Sequence, residues 1–375
     1  MDARSYKDIP SPGRILLGPG PSMVAPRVLR ALALPVLGHL DPIFLSVMDD
    51  IQQLLRYTFQ TKNEFTIPIS GTGSAGMEAA LSNFIEAGDK VLIGVNGYFG
   101  ERLAEMAGRY RAQVSRIERP WGEVFDIEEI RTALKKDKFK FLALVHGETS
   151  TGALLTGVAE IAQAAHENGA LLILDTVATL GGAPVEVDAW EADVVFSGSQ
   201  KCLSCPPGLA PLTMGERARA VLRARKTPPG NWYLDLGMVE KYWGEERTYH
   251  HTAPTNMNVA LREALRAVAE EGLEARFSRH QETAELLWQG LQEMDIGLLM
   301  PEENRMTMLC AALIPPGVDD LAVRTSLREN YNIEIAGGFG PLAGKIWRIG
   351  LMGFSSRREN VLNLLSSFRE ILKRG

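Results

Sequence analysis

The sequence predicts an α/β protein with a mostly parallel sheet in a large domain, followed by a smaller α+β domain at the C-terminal end. Short, almost continuous apolar runs alternate with helical patterns between about residues 65 and 215. This alternation is typical of a parallel sheet covered by helices on both faces. An irregular segment rich in proline, glycine and aromatic residues, 225–256, interrupts it. A long helical stretch and two further strands then indicate a second unit.

Six apolar runs are the predicted strands of the large domain. They are Phe65–Ile69, Val91–Val95, Phe141–Val145, Leu171–Leu174, Val194–Phe196 and Leu209–Met214. Between them, apolar residues recur at helical spacing from Met77 to Ile85, from Ile127 to Leu134 and from Val158 to Ala165. Ligands of such sheets bind at the carboxyl ends of the strands, so residues that follow a run are candidates for chemistry.

The second half contains fewer strands. Its predicted elements are a helical stretch from about Asn258 to Gly290, a strand Thr307–Ile314, a helix Val318–Asn330, a strand Lys345–Leu351 and a closing helix from about Arg357. We therefore divide the chain into an N-terminal arm (1–22), a large domain (23–262) and a small C-terminal domain (263–375). The arm contains too much proline and glycine for regular structure.

The composition excludes several classes of protein. Of the 375 residues, 45% are hydrophobic and 23% charged, and the net charge is −6, which is typical of globular proteins and not of disordered or fibrous ones. Charges of both signs are interspersed, so we expect no nucleic-acid partner. No apolar run approaches the ~18 residues of a membrane span, and no signal peptide is recognisable. We expect a soluble, cytoplasmic protein.

The sequence Gly71-Thr-Gly-Ser-Ala-Gly76 lies between a predicted strand and a predicted helix. It matches the dinucleotide-binding pattern, but such a site needs an acidic residue at the end of the next strand, and Val91–Val95 is followed by asparagine. A dehydrogenase is therefore only an alternative. A glycine-rich turn at a helix N-terminus still offers N–H groups, with the hydroxyls of Thr72 and Ser74, to a phosphate. A tight turn without a ligand is the other interpretation.

Asp175 ends one predicted strand, and the next strand leads to Lys201 at the same edge of the sheet. This pair suits a pyridoxal phosphate site. The lysine forms a Schiff base with the aldehyde, and the carboxylate keeps the pyridine nitrogen protonated. The alternative is a surface ion pair of little energetic value.

The cysteines and histidines do not indicate a metal site. Cys202 and Cys205 form a C-x-x-C motif, but the chain has no second such motif and its six histidines lack metal-ligand spacing. Three cysteines are also too few for a disulfide framework. We expect the two thiols to be reduced and packed in the interior.

Several segments together resemble one family. In chain order they are LLGPGPS (16–22), SGTGSAGMEAAL (70–81), HGETSTG (146–152), LDTVATLGG (174–182), SGSQKCLSCPPG (197–208), TYHHTAP (248–254) and KIWRIGLMG (345–353). They resemble the alanine–glyoxylate and serine–pyruvate aminotransferases, which are class V pyridoxal phosphate enzymes of fold type I. The resemblance implies that fold, that cofactor and a homodimer with shared active sites.

The resemblance also implies residue roles. Lys201 becomes the Schiff-base lysine, Asp175 the partner of the pyridine nitrogen, and Arg348 the residue that holds the substrate carboxylate. The other implied cofactor contacts are Thr72, Gly73, Ser74 and Gln200 on the phosphate, Thr149 on the ring hydroxyl, Phe99 on the ring face, and Tyr249 and Thr252 on the phosphate of the neighbouring subunit.

The implied reaction is transamination between alanine or serine and a 2-oxo acid, glyoxylate or pyruvate. Within the family, a pyridoxamine–pyruvate or aminophosphonate aminotransferase remains an alternative. A cysteine desulfurase needs a nucleophilic cysteine on a mobile loop, whereas Cys310 lies inside the predicted strand Thr307–Ile314. Outside the family, the alternatives are a nucleotide-binding dehydrogenase and a catalytically idle scaffold.

Overall fold

The computed structural model describes Ile9 and residues 12–374, so residues 1–8, 10 and 11 of the predicted arm lie outside the described residues. The strands are β1 (Ile15–Leu16), β2 (Phe65–Ser70), β3 (Lys90–Val95), β4 (Gln113–Glu118), β5 (Phe141–Val145), β6 (Gly147–Glu148), β7 (Ala153–Leu154), β8 (Leu171–Asp175), β9 (Val194–Phe196), β10 (Leu209–Met214), β11 (Leu309–Leu313), β12 (Ile333–Glu334), β13 (Ala336–Gly337) and β14 (Ile346–Gly350). The helices are α1 (Pro26–Leu32), α2 (Pro42–Thr58), α3 (Gly73–Phe84), α4 (Tyr98–Arg109), α5 (Ile127–Leu134), α6 (Val158–Glu167), α7 (Val187–Trp190), α8 (Glu216–Arg223), α9 (Leu236–Trp243), α10 (Thr255–Glu271), α11 (Leu273–Gln292), α12 (Asp320–Asn330) and α13 (Arg358–Arg374).

The central sheet of the described chain has seven strands in the order β2-β10-β9-β8-β5-β3-β4. Only β10 runs against the others, because it pairs antiparallel with both β2 and β9 while the remaining pairs are parallel. The predicted mostly parallel sheet is therefore confirmed. As a result, the carboxyl ends of β2, β8 and β9 lie at the same edge, where the loops after each strand can meet.

The described residues form two large packing cores and two small clusters. The first surrounds the central sheet and includes α10, which contributes buried residues as far as Val268. The second is built from α11, α12, α13 and the strands β11 and β14, with Trp347 packed against Phe368 at a ring-centroid distance of 5.1 Å. Leu17 of the N-terminal arm belongs to this second core. The division of the chain at residue 262 stays a prediction.

Several elements differ from those expected. Strand β4 was not expected, because as an edge strand it is largely exposed and lacks a continuous apolar run. Helices α1 and α2 lie outside the predicted elements, and α9 lies inside the segment 225–256, which the sequence predicts to be irregular. The long helical stretch is two helices, because Gly272 adopts a φ of +81° between α10 and α11. The arm forms the short strand β1, which pairs with β12.

Helix α3 lies close to the sheet, and this placement fixes the glycine-rich turn before it. A Cβ atom at Gly76 would lie 2.9 Å from the Cβ of Ala210 on β10, so glycine allows the helix to approach the strands. The N-terminus of α3 is thereby held at the edge of the sheet where β2 ends. None of the helices among the described residues is long and apolar enough to span a bilayer. The expected cytoplasmic location stays a prediction.

Candidate active site

Asp175 and Lys201 lie at the same edge of the sheet, as the strand pattern predicted. Asp175 is the last residue of β8 and pairs in register with Phe196 at the end of β9, five residues before Lys201. Their relative exposures are 3% and 8%, so they do not form a surface ion pair. Burial raises the pKa of Asp175 to about 7 and lowers the pKa of Lys201 to about 8, while each charge opposes the shift of the other.

The N-terminal arm covers the lysine. The Nζ of Lys201 donates a hydrogen bond to the carbonyl of Pro19, and the hydroxyl of Ser22 donates to the carbonyl of Lys201 at 2.8 Å. Gly20 adopts a φ of +109°, and a Cβ there would lie 2.6–2.8 Å from three atoms of the lysine side chain. Only glycine fits at this position. No periodicity or spacing places these arm residues against Lys201, although LLGPGPS was part of the resemblance.

The glycine-rich turn before α3 presents hydrogen-bond donors. Thr72 precedes the helix, and its carbonyl accepts the N–H groups of Ala75 and Gly76, whereas the N–H groups of Gly73 and Ser74 have no acceptor within the helix. Gly73 packs against Val177, two residues after Asp175, since a Cβ at Gly73 would lie 3.2 Å from a methyl group of that valine. Ser74 accepts a hydrogen bond from Arg102 at 2.9 Å. These contacts place the turn beside the loop that follows β8.

Gln200 precedes the lysine and has a buried side-chain oxygen, Oε1, without a hydrogen-bond partner in the described chain. A Cβ at Gly198 would lie 2.8 Å from this oxygen, so glycine leaves room for the amide. The oxygen and nitrogen of such an amide are interchanged by rotating its end by 180°. An unsatisfied buried amide is costly, and a ligand that bonds to it would remove that cost.

Phe99 lies at the start of α4 and is held there by Glu148, a residue that no sequence pattern singled out. Glu148 is 1% exposed, and its Oε2 accepts the backbone N–H of Phe99 at 3.0 Å. Its Oε1 accepts the hydroxyl and the N–H of Ser150 at 2.6 and 3.0 Å. Thr149, between these two residues, is buried. Burial raises the pKa of Glu148.

Arg348 reaches the site from β14. Its side chain is 8% exposed, donates from Nε to the carbonyl of Gly337 at 2.8 Å, and lies with its guanidinium carbon 4.2 Å from the centre of the Phe339 ring. A longer contact of 3.4 Å joins it to the carbonyl of Thr149. Burial lowers the pKa of Arg348 to about 10. In the part of the chain that is described, no carboxylate forms an ion pair with it.

Tyr249 and Thr252 are not brought to Lys201 within the chain. Tyr249 is 58% exposed and Thr252 is also exposed. The two histidines between them point inward: His251 is hydrogen-bonded to Ser70 at 2.7 Å and to His250 at 2.8 Å. Because Ser70 ends β2, the exposed pair lies near the turn that precedes α3. Their predicted contact with a neighbouring subunit stays a prediction.

The cysteines are buried and free. Burial raises the pKa values of Cys202 and Cys205 to about 11 and about 12, so at neutral pH these thiols are protonated and poorly reactive. Cys310 lies inside β11, with its pKa raised to about 12, and does not have the mobile position that a desulfurase needs. Among the described residues, no group of three or more histidine, cysteine or acidic side chains is arranged to hold a metal ion.

Comparison with known proteins decides the family. The model of the class-V aminotransferases matches residues 29–351. The chain belongs to the class-V aminotransferase family. It is 45% identical to the (S)-ureidoglycine–glyoxylate transaminase of Bacillus subtilis, over 98% of this chain and 92% of that one. It is 39% identical to the alanine–glyoxylate aminotransferase of Oryctolagus cuniculus, over 98% and 94%. The solved structure of an alanine–glyoxylate aminotransferase from Nostoc sp. matches with a TM-score of 0.95 and 52% identity, over 98% and 97%.

These matches confirm the predicted enzyme class and fold type I. Class-V aminotransferases of this fold depend on pyridoxal phosphate, and the residues present here fit that cofactor. Donors at the α3 N-terminus and the unsatisfied amide of Gln200 suit its phosphate. Asp175 suits its ring nitrogen, and Lys201, whose lowered pKa favours the neutral amine, suits its aldehyde.

Further residues contact the predicted site residues, among them Gly20, Arg102, Glu148 and Val177. Glu148 and Val177 lie within segments that carried the resemblance, HGETSTG and LDTVATLGG, so their motifs could have pointed to them. Arg102 lies outside every quoted motif, on the second turn of α4. No spacing in the sequence connects it to Ser74, 28 residues earlier.

Proposed function

We propose that this class-V aminotransferase transfers the amino group of a small amino acid, alanine or serine, to glyoxylate or pyruvate. The observation that carries the proposal is Arg348, a buried guanidinium without a carboxylate partner in the described chain. A planar guanidinium binds a carboxylate through two parallel hydrogen bonds. Both substrates of the reaction carry a carboxylate next to the reacting carbon. The names of the relatives support glyoxylate as the acceptor.

The chain's own residues would act as follows. When bound, pyridoxal phosphate withdraws electrons from the substrate α-carbon and stores the amino group between half-reactions. The carboxylate of Asp175 would hold the proton on the ring nitrogen. Thr72, Gly73, Ser74 and Gln200 would hold the phosphate.

Lys201 and the residues around it would control proton transfer. The Nζ of Lys201 would act first as a base that takes the proton from the substrate α-carbon and then as an acid that delivers it to the carbon of the cofactor aldehyde. With its pKa lowered to about 8, roughly a tenth of the amine is neutral at pH 7, far more than for an ordinary lysine. Phe99 and Thr149 would fix the ring, and Arg348 would fix the carboxylate so that the α-carbon faces the amine.

We further propose a homodimer in which Tyr249 and Thr252 reach the phosphate of the partner. Exposed apolar side chains in two segments that contact this loop, around His39 and at 232–233, support the proposal, because exposed apolar surface marks interfaces. The residues are Leu34, Val36, Leu40, Ile43, Trp232 and Tyr233. The ring of Tyr249 itself contacts His39 at a centroid distance of 5.2 Å, which links the two exposed segments.

A second donor, (S)-ureidoglycine, is favoured by the 45% identity to a transaminase of that name. The experiment that tests the function is a matrix of donors and acceptors, followed by cofactor absorbance in separate half-reactions. The donors are alanine, serine, ureidoglycine, glutamate, pyridoxamine and an aminophosphonate. We expect alanine or serine to convert the cofactor to its amine form and glyoxylate to restore it. The absence of a spectral change with any small amino acid would contradict the proposal. If ureidoglycine converts the cofactor faster than alanine and serine do, ureidoglycine replaces them as the proposed donor.

A further inference from the structure

Arg102 is a cation whose charge no side chain neutralises in the described chain. Two acidic residues share its helix, α4, but both pair with other arginines: Glu101 with Arg116 at 2.6 Å and Glu105 with Arg109. The guanidinium of Arg102 instead donates a hydrogen bond to the hydroxyl oxygen of Ser74 at 2.9 Å. An unpaired, partly buried guanidinium in contact with a helix N-terminus marks a place where an anion is favoured.

The aromatic residues at the start of α4 fix the position of this guanidinium. Its central carbon lies 4.9 Å from the ring centre of Phe99 and 5.0 Å from that of Tyr98, which are cation–π distances. Arg102 therefore connects Phe99, the residue predicted to face the cofactor ring, with Ser74, a residue predicted to hold the phosphate. Its charge also acts on Asp175 and favours the ionised form of that carboxyl.

The hydrogen bond to Ser74 determines what that hydroxyl can do. A serine hydroxyl has one proton to donate and lone pairs to accept. Because Arg102 uses a lone pair, the proton of Ser74 remains available to an acceptor on the other side. The predicted phosphate ligands Thr72, Gly73, Ser74 and Gln200 are all neutral, whereas a phosphate monoester carries about −1.5 to −2 charges at neutral pH. The helix N-terminus supplies only about half a positive charge.

We propose that Arg102 is a positioning residue for the cofactor phosphate: it orients the Ser74 hydroxyl as a donor and supplies a full positive charge to this end of the site. The inference rests on the proposed function, since it takes the phosphate to lie at the N-terminus of α3.

The test measures binding to the cofactor-free protein, not turnover. Dissociation constants are determined for pyridoxal phosphate and for pyridoxal, which lacks the phosphate, with Arg102→Gln and the wild type. We expect Arg102→Gln to weaken pyridoxal phosphate binding by about 10- to 100-fold, the range for a charge-assisted contact. Pyridoxal binding should weaken far less, because pyridoxal lacks the phosphate and is linked to Arg102 only through Phe99 and the charge of Asp175. Arg109→Gln is the matched control, since Arg109 lies on the same helix but is exposed and pairs with Glu105.

Phosphorus NMR of the bound cofactor provides a readout that a merely structural role would not change. In the wild type, the positive charge should keep the pKa of the phosphate below its usual value of about 6. In Arg102→Gln, this pKa should rise. Arg102→Lys keeps the charge, so the phosphate pKa should stay low while the affinity falls to an intermediate value. This variant also keeps the inference testable if Arg102→Gln does not fold.

Two results would overturn the inference. In one, Arg102→Gln leaves the preference for pyridoxal phosphate over pyridoxal unchanged. In the other, it weakens both ligands equally, which would make Arg102 a structural residue. If instead the wild-type protein itself shows no preference for the phosphorylated ligand, the phosphate site of the proposed function is wrong, and the two failures are distinguishable.

Discussion

Replacing Arg348 by lysine tests how the site recognises its substrate. Burying this guanidinium costs free energy, and the burial lowers its pKa to about 10. Since a pKa of about 10 still lies well above neutral pH, Arg348 is charged at pH 7 and the fold carries this cost. The stacking on Phe339 and the bond to Gly337 hold the group in place without neutralising it. A substrate carboxylate would offset the cost.

Arg348→Lys keeps the charge but loses the planar pair of donors. We expect a loss of about 2–3 kcal/mol, or roughly 30- to 150-fold in kcat/KM, expressed mainly as a higher KM for alanine and for glyoxylate. Arg348→Met removes the charge and should lose more activity. Its cofactor-free form should nevertheless melt no lower than the wild type at neutral pH, because an uncompensated buried charge is removed.

Steady-state kinetics with both substrates and thermal denaturation of the cofactor-free proteins check these expectations. Arg369→Lys is the matched control, since Arg369 lies on α13, is exposed and pairs with Glu293. An Arg348→Lys variant with an unchanged KM would refute the carboxylate role. An Arg348→Met variant that melts far below the wild type would instead make Arg348 a structural residue. Efficient turnover of glutamate by the wild type would contradict the preference for small monocarboxylates.

Three further predictions concern Asp175 and the dimer. Asp175→Asn should retain the cofactor but slow the proton-transfer step by orders of magnitude in stopped-flow half-reactions; wild-type rates would exclude the role. Because burial raises the pKa of Asp175 to about 7, the wild-type cofactor-free protein should lose stability as the pH rises from about 4 to about 7. Asp175→Asn should lack this loss. If the melting temperatures of the two proteins change equally with pH across that range, the prediction is contradicted. Mixing inactive Lys201→Ala subunits with inactive Tyr249/Thr252 double-mutant subunits should restore some activity, because one site of each hybrid dimer has an intact lysine and an intact partner loop. If hybrid dimers form but remain inactive, each site lies within one chain.

The strands and the central pair of the site were predictable from the sequence for a simple reason. Strands such as β5 and β8 are buried on both faces, so their apolar runs are nearly continuous. The residues that follow parallel strands must then lie at one edge of the sheet, and this rule alone is enough to bring Asp175 and Lys201 together. The sequence does not predict strand β4, because β4 is an exposed edge strand with a largely polar pattern.

The rest of the site depends on contacts between side chains that are distant in sequence. Glu148 reaches the backbone of Phe99, 49 positions away, and Arg102 reaches Ser74. The carbonyl of Pro19 accepts from Lys201 across 182 positions. Such contacts depend on how the helices and the arm pack, which periodicity does not encode. Resemblance identified most of the predicted ligands, and packing supplied the residues that orient them.

The central claim is that Lys201 binds the cofactor, and chemical trapping tests it most directly. Borohydride reduction of the purified protein makes the bond between a lysine amine and the cofactor aldehyde permanent, and peptide mass spectrometry then locates it. We predict the reduced cofactor on Lys201 in the wild type and its absence, together with the loss of the yellow absorbance, in Lys201→Ala. Cofactor attached to a different lysine, or no cofactor attached to any peptide, would contradict the account.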